Sequence, residues 1–159
     1  MKRTAMYFGL ILSLCVPFLA TAQDPTQPNA ERVKGLSTSV EHAIKDKEKN
    51  WSIKDKNVLS RSTSQRWRSG AQEVHLRIFV YGSEAEASKM LLNHGSFSVG
   101  LSDELKGFAG DEARYLEYLH FTWVGVRKGS IVIEAQGPAR NIALTKRFVR
   151  HALQELEKN

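Results

Sequence analysis

Cysteine is all but missing from this chain. Cys15 is the only one, and it lies within the first 22 residues, which read as a secretory signal peptide removed on export. The remainder holds no disulfide, although an oxidising compartment would permit one. Thiol catalysis and cysteine-ligated metals are excluded with it. Other signatures are missing too. His42, His75, His94, His120 and His151 show no HExxH frame and no i, i+4 helical spacing, so no metal site is expected. No GxSxG elbow marks a serine nucleophile, and no SxxK pair with its accompanying motifs does so either. The segment GFAGDE (107–112) has two glycines but lacks the lysine and the preceding strand of a phosphate loop. No catalytic residue, metal ligand or cofactor is expected.

Strong charge of one sign is also absent. The chain has 23 Lys and Arg against 17 Asp and Glu. Loss of Lys2 and Arg3 with the leader leaves a mild basic excess, unlike that of a dedicated nucleic-acid binder. Nor is there a long apolar run. Tyr7–Leu19 is broken by Gly9, Ser13 and Pro17 and falls short of the roughly 20 residues a spanning helix needs. It suits the core of a leader, with Lys2 and Arg3 before it and Ala20-Thr21-Ala22 as the cleavage site. Leu14, where a lipid-attachment signal has Gly or Ala, argues against a lipoprotein. The expected layout is a signal peptide over 1–22, a short tether over 23–28 and a single α+β domain over 29–159. The mature protein then resides in the periplasm or outside the cell, with no membrane span. A domain of this size buries roughly 65–70% of its unfolded surface, enough to stand without staples.

Periodicity supplies the elements. Asn29 suits the N-cap of a helix to about Lys47, with Val33, Leu36, Val40 and Ile44 forming one stripe. Val58–Arg68 alternates weakly, Ser69-Gly70 marks a turn, and Glu73–Tyr81 alternates cleanly, so a hairpin is expected. Ser83 and Glu86 have capping-box spacing for a second helix, stopped by Gly95. A strand over Tyr115–Arg127 follows the glycine-rich segment 96–114. Lys128-Gly129 turns the chain into a strand over Ile131–Gln136, and Pro138 suits the start of a last helix through Leu156. The fold class is α+β: an N-terminal helix, then two strand-strand-helix units. They pair as one four-stranded antiparallel sheet with helices packed on it. Arg68-Ser69-Gly70 and Arg127-Lys128-Gly129 occupy matching places, which suggests an internal duplication. Both following helices should then cover one sheet face. The open face carries His75, Arg77, Phe79 and Tyr81, unless the first helix covers them.

Basic residues concentrate in one stretch. Lys45–Arg68 holds eight Lys and Arg, three acids, and two tryptophans, Trp51 and Trp67. Aromatics among cations can stack on rings while the cations hold acid groups. The competing reading is a solvated helix end and a cationic edge strand that resists sheet-to-sheet association. The candidate binding residues are Arg61, Arg66, Trp67 and Arg68 on that strand, with His75 and Arg77 on the open face. The expected function is a non-catalytic binding or accessory domain of the envelope or exterior. Its partner is an envelope protein or an anionic surface polymer rather than nucleic acid, and the sequence leaves the oligomeric state open. The alternative is a small extracytoplasmic hydrolase or transferase using the 96–114 loop with His75 or His120. Asp111 and Glu112 are adjacent there, and in an extended segment they point apart, so a turn with a capping carboxylate is expected.

Three stretches carry a resemblance: FVYGSEAEASKML (79–91), GFAGDEARY (107–115) and VGVRKGSIVIEA (124–135). Together they resemble exported bacterial domains of unknown or sensory function, such as lipoprotein domains and the extracytoplasmic sensor domains of membrane kinases. The resemblance spans roughly Trp67 to Leu156 and implies an antiparallel α+β domain without established enzymology. Its motifs are small-residue turns, so it carries over no functional residue. This chain departs from the group in lacking a lipid-attachment signal, mature cysteines and an anchor.

Overall fold

The computed structural model describes residues 30–94, 99–100 and 110–158. The cap assigned to Asn29 and most of the 96–114 loop lie outside them. The elements run α1 (Ala30–Lys47), β1 (Ser52–Val58), β2 (Ser62–Ser69), β3 (Gln72–Val80), α2 (Glu84–His94), β4 (Val99–Gly100), β5 (Glu112–Glu117), β6 (Phe121–Lys128), β7 (Ile131–Pro138) and α3 (Ile142–Leu156). The α+β class holds, but the four-stranded sheet does not. Six long strands and the two-residue β4 form one antiparallel sheet of order β1-β2-β3-β7-β6-β5-β4.

Two strands account for the difference. Ser52–Val58 pairs with β2 and is the true edge, so the arginines of β2 lie one strand inward. Five of its seven residues are exposed, which leaves little alternation to read. The expected strand over 115–127 is two strands, because Tyr118-Leu119-His120 forms a hairpin turn closed by the Tyr118 N–H donating to the Phe121 carbonyl at 2.9 Å. That turn has no glycine or proline to announce it.

The two hairpins anchoring the centre were legible. Gly70 and Gly129 each stand first in a two-residue loop with φ of +56°. A side chain disfavours that conformation, and glycine takes it freely. The halves match further. Thr63 and Thr122 occupy equivalent buried sites, each sharing a hydroxyl hydrogen bond with a helix: Ser37 of α1 at 2.7 Å and Thr145 of α3 at 2.6 Å.

The helices break the correspondence. Val33, Leu36, Val40 and Ile44 of α1 pack with Leu144, Phe148, Val149, Ala152 and Leu153 of α3 over one sheet face. Val74, Leu76, Ile78 and Val80 project into this layer from β3, Val124 and Val126 from β6, and Ile131, Ile133 and Ala135 from β7. The second helix lies on the opposite face, where Ala87 and Leu91 meet Trp123 and Val132. The expectation of α2 and α3 on one face is overturned. In place of α2, it is α1 that completes the α3 layer, so it does not cover His75 or Arg77. Gly125 permits the α2 contact: a Cβ there would come within 2.7 Å of Leu91 Cδ1. Local capping follows the sequence at α2, where the Glu86 N–H donates to Ser83 Oγ at 3.1 Å and Glu86 Oε2 accepts from the Gly82 N–H at 3.0 Å. At α3 it does not. Pro138 ends β7, and Asn141 is the cap, its Oδ1 accepting from the Leu144 N–H at 3.2 Å.

Candidate functional site

Strand alternation sorts the six candidate residues. On β2, Thr63, Gln65 and Trp67 are buried while Arg66 and Arg68 are exposed. Trp67 is fully buried, with its ring 6.1 Å from Phe148, and its indole N–H donates to Gln65 Oε1 at 3.1 Å. It therefore belongs to the helix-covered layer. So does Trp51, whose ring lies 5.0 Å from Phe148. Neither tryptophan can stack on a ligand alongside the cations. Arg61 sits in the β1–β2 turn, 3.9 Å from Glu86.

The other four come together. Arg66 pairs in register with His75, and Arg68 with Glu73. Arg77 lies two residues beyond His75 on the same face, opposite Glu134. Since α2 packs on β6 and β7, no described helix packs over the Arg66 and Arg68 side of this face. Glu73 holds the register, 3.5 Å from Arg66 and 3.0 Å from Arg68. Burial depresses the His75 imidazole below 6.5, and the charges of Arg77 and then Arg66 push it the same way.

The basic stretch is not one surface. Lys45 and Lys56 both bind Glu41, at 2.6 and 2.8 Å, and Lys47 donates to Gln154. These lysines decorate the helix side of the sheet. Arg66 and Arg68 of the stretch join His75 and Arg77, and Asp55, opposite Arg66 in register, brings an acid to the same group.

Beside them lies a feature periodicity could not foresee. Glu134 is fully buried, with Oε2 3.0 Å from Arg77 Nη2 and Oε1 against His94 Nδ1 at 2.5 Å. The Arg77 contact is an ion pair without an aligned hydrogen bond, so Oε2 stays unsatisfied among the described residues. Phe79 and Tyr81 wall the group, their rings 6.2 Å apart, and Phe79 lies 5.5 Å from His94. Burial pushes the Tyr81 phenol up to about 12, helped by Glu134 and Glu86. Glu134 thus links β7 to β3 through Arg77 and to α2 through His94. The one sequence signal was Glu134 following the apolar run Ile131-Val132-Ile133.

One rung away, an open hollow of about 340 Å3 is lined by Arg66, Glu73, His75, His120, Phe121, Gln136 and Pro138 among others. It brings His75 and His120 from different halves of the chain to one place. A larger hollow of about 610 Å3 runs between α1 and the β6–β7 hairpin, lined by Arg32, Leu36, Lys128 and Ile131. No cluster of three or more His, Cys, Asp or Glu among the described residues could hold a metal, and none of their helices is long and apolar enough to cross a membrane.

The described part of the 96–114 loop has a structural job. Asp111 Oδ2 accepts from the Gly129 N–H at 2.6 Å, capping the central hairpin. Asp111 and Glu112 do not diverge as expected, since both reach Arg127, at 3.2 and 3.4 Å. Gly110 is required here, because a Cβ would strike Val126 Cγ1.

Comparison with protein families, with curated proteins and with solved structures finds no match to this chain.

Proposed function

We propose that this is an exported, non-catalytic binding domain that holds an anionic polymer of the cell envelope on the open half of its sheet. One observation carries the reading: Arg66, Arg68, His75 and Arg77 share a face that α2 leaves uncovered. Glu73, Asp55 and Glu134 offset part of this charge, yet Arg66 and Arg68 remain about half exposed. A polyanion suits the face better than an apolar protein partner, because its exposed groups are charged. The leader-like start motivates the envelope as the place of action. The hydrolase or transferase alternative finds no support in Asp111 and Glu112, which are engaged with Arg127 and the hairpin turn.

Several cations acting together make binding fall steeply with salt, as counterions are released. The mature protein should therefore be retained on heparin at low ionic strength. Arg66→Gln with Arg68→Gln should elute at clearly lower salt while melting as the parent does. Unchanged elution of the double variant would overturn the reading.

A further inference from the structure

The hollow beside the arginines combines two kinds of surface. Its polar side presents flat, multiply bonding groups: the Arg66 guanidinium, the Glu73 carboxylate, the Gln136 amide, and the imidazoles of His75 and His120. Its apolar side is Phe121, paired in register with Pro138. Tyr118 extends this side, its ring 5.8 Å from Phe121. Tyr118 is 56% exposed and the adjoining Leu119 75%, so the apolar rim stands uncovered next to a polar floor.

We infer that this hollow is a subsite for one acidic sugar unit of a surface polymer. A pyranose ring needs this combination. Its C–H face packs on an aromatic ring, while its hydroxyls bridge planar side chains that offer donors and acceptors side by side. Glu73 and Gln136 supply acceptors for sugar hydroxyls, and Arg66, whose Nε lies 3.5 Å from Glu73, has further N–H groups to offer a carboxylate. Burial first, then the charges of Arg77 and Arg66, hold the His75 imidazole down, and an acid group opposes the part due to the two arginines. The volume is at the low end for ligand sites, about 300 Å3 upward, which suits one ring rather than an extended chain. The hollow is too polar for a lipid tail. A phosphate alone would leave Phe121 and Tyr118 unused.

This inference rests on the open-face reading, so the test separates the two. Calorimetric titration of the mature protein would compare trigalacturonate with blocked triglutamate, which carries the same three carboxylates on a non-sugar backbone. The sugar should bind at least about tenfold more tightly. His120→Ala and Gln136→Ala change exposed side chains. Each should weaken trigalacturonate about fivefold and leave triglutamate unchanged. Phe121→Leu keeps bulk and removes the aromatic face, so it should act likewise, with near-ultraviolet dichroism reporting the fold. Equal binding of the two ligands would sink the sugar assignment and leave the anionic face standing. Failure of both ligands with heparin retention intact would also sink the sugar assignment alone. Loss of heparin retention as well would remove both readings.

Discussion

Ile78 and Arg77 are neighbours in sequence with opposite environments. Ile78 is 1% exposed in the layer under α1 and α3, where truncation removes apolar contacts and leaves a cavity. Ile78→Ala should cost about 2–5 kcal/mol in urea unfolding, and a loss under about half a kcal/mol would show that this face is not the core. Arg77 faces the other way and neutralises Glu134, a carboxylate with no access to water. Removing one member of a fully enclosed pair costs roughly 3–5 kcal/mol, because it strands the other charge. Arg77 is 37% exposed in its side chain and His94 remains on Oε1, so Arg77→Ala should cost roughly 2 kcal/mol by the same reasoning. Arg66→Ala, at an exposed site, should stay within about 0.5 kcal/mol. Similar losses for the two arginines would mean that the Glu134 pair contributes nothing. Trp67 gives the residue-scale lesson. Its cationic neighbours made it look like part of a ligand surface, but strand alternation sends it inward, where Gln65 takes its N–H.

Among the helices, burial separates α2 from α3. The first buries Ala87 and Leu91, whereas α3 buries six residues, including Phe148 and Leu153. Fewer buried apolar contacts mean cheaper local opening. Amides of α2 should exchange with deuterium well before those of α3, and equal protection would show that the Glu134–His94 link binds α2 as firmly as the core binds α3. Among the strands, legibility followed burial. β3 and β7 announced themselves because their inward residues are apolar and mostly β-branched. By contrast, β1 was invisible: only Ile53 and Val58 of its seven residues are even half-buried, and its charges are those an edge strand carries to resist further pairing. The Tyr118–His120 turn was hidden for the reverse reason. Leu119 is apolar yet exposed, so it read as strand.

Across the whole molecule, acid should act in two steps. His151 of α3 lies 3.1 Å from Glu48, the residue after α1, which Arg147 also binds at 2.8 Å. Burial depresses its imidazole, outweighing the raising effect of the Glu48 hydrogen bond, and His75 is depressed too. A base with a lowered folded value contributes stability that is complete above the unfolded 6.5 and is lost as pH falls through the folded value. Glu41 is lowered by its hydrogen bonds to Lys45 and then Lys56. Its contribution is complete above 4.5 and disappears as pH falls further. Urea midpoints should therefore be flat between about pH 7 and about pH 9, decline as pH falls from about 6.5, and decline again below about 4.5. His151→Gln should flatten the first decline, and a profile unchanged by that substitution would show that His151 is not responsible. Local patterns in the sequence determined the stripe of α1, the Ser83–Glu86 cap, the inward face of β3, and the glycine hairpins at Gly70 and Gly129, because propensity, capping and alternation act within a few residues. Tertiary structure alone decided the strand order, the side of the sheet that α2 takes, the enclosure of Glu134, and the meeting of His75 with His120. Each depends on pairing between residues far apart in the chain, and periodicity carries no information about which distant surface an apolar face will find.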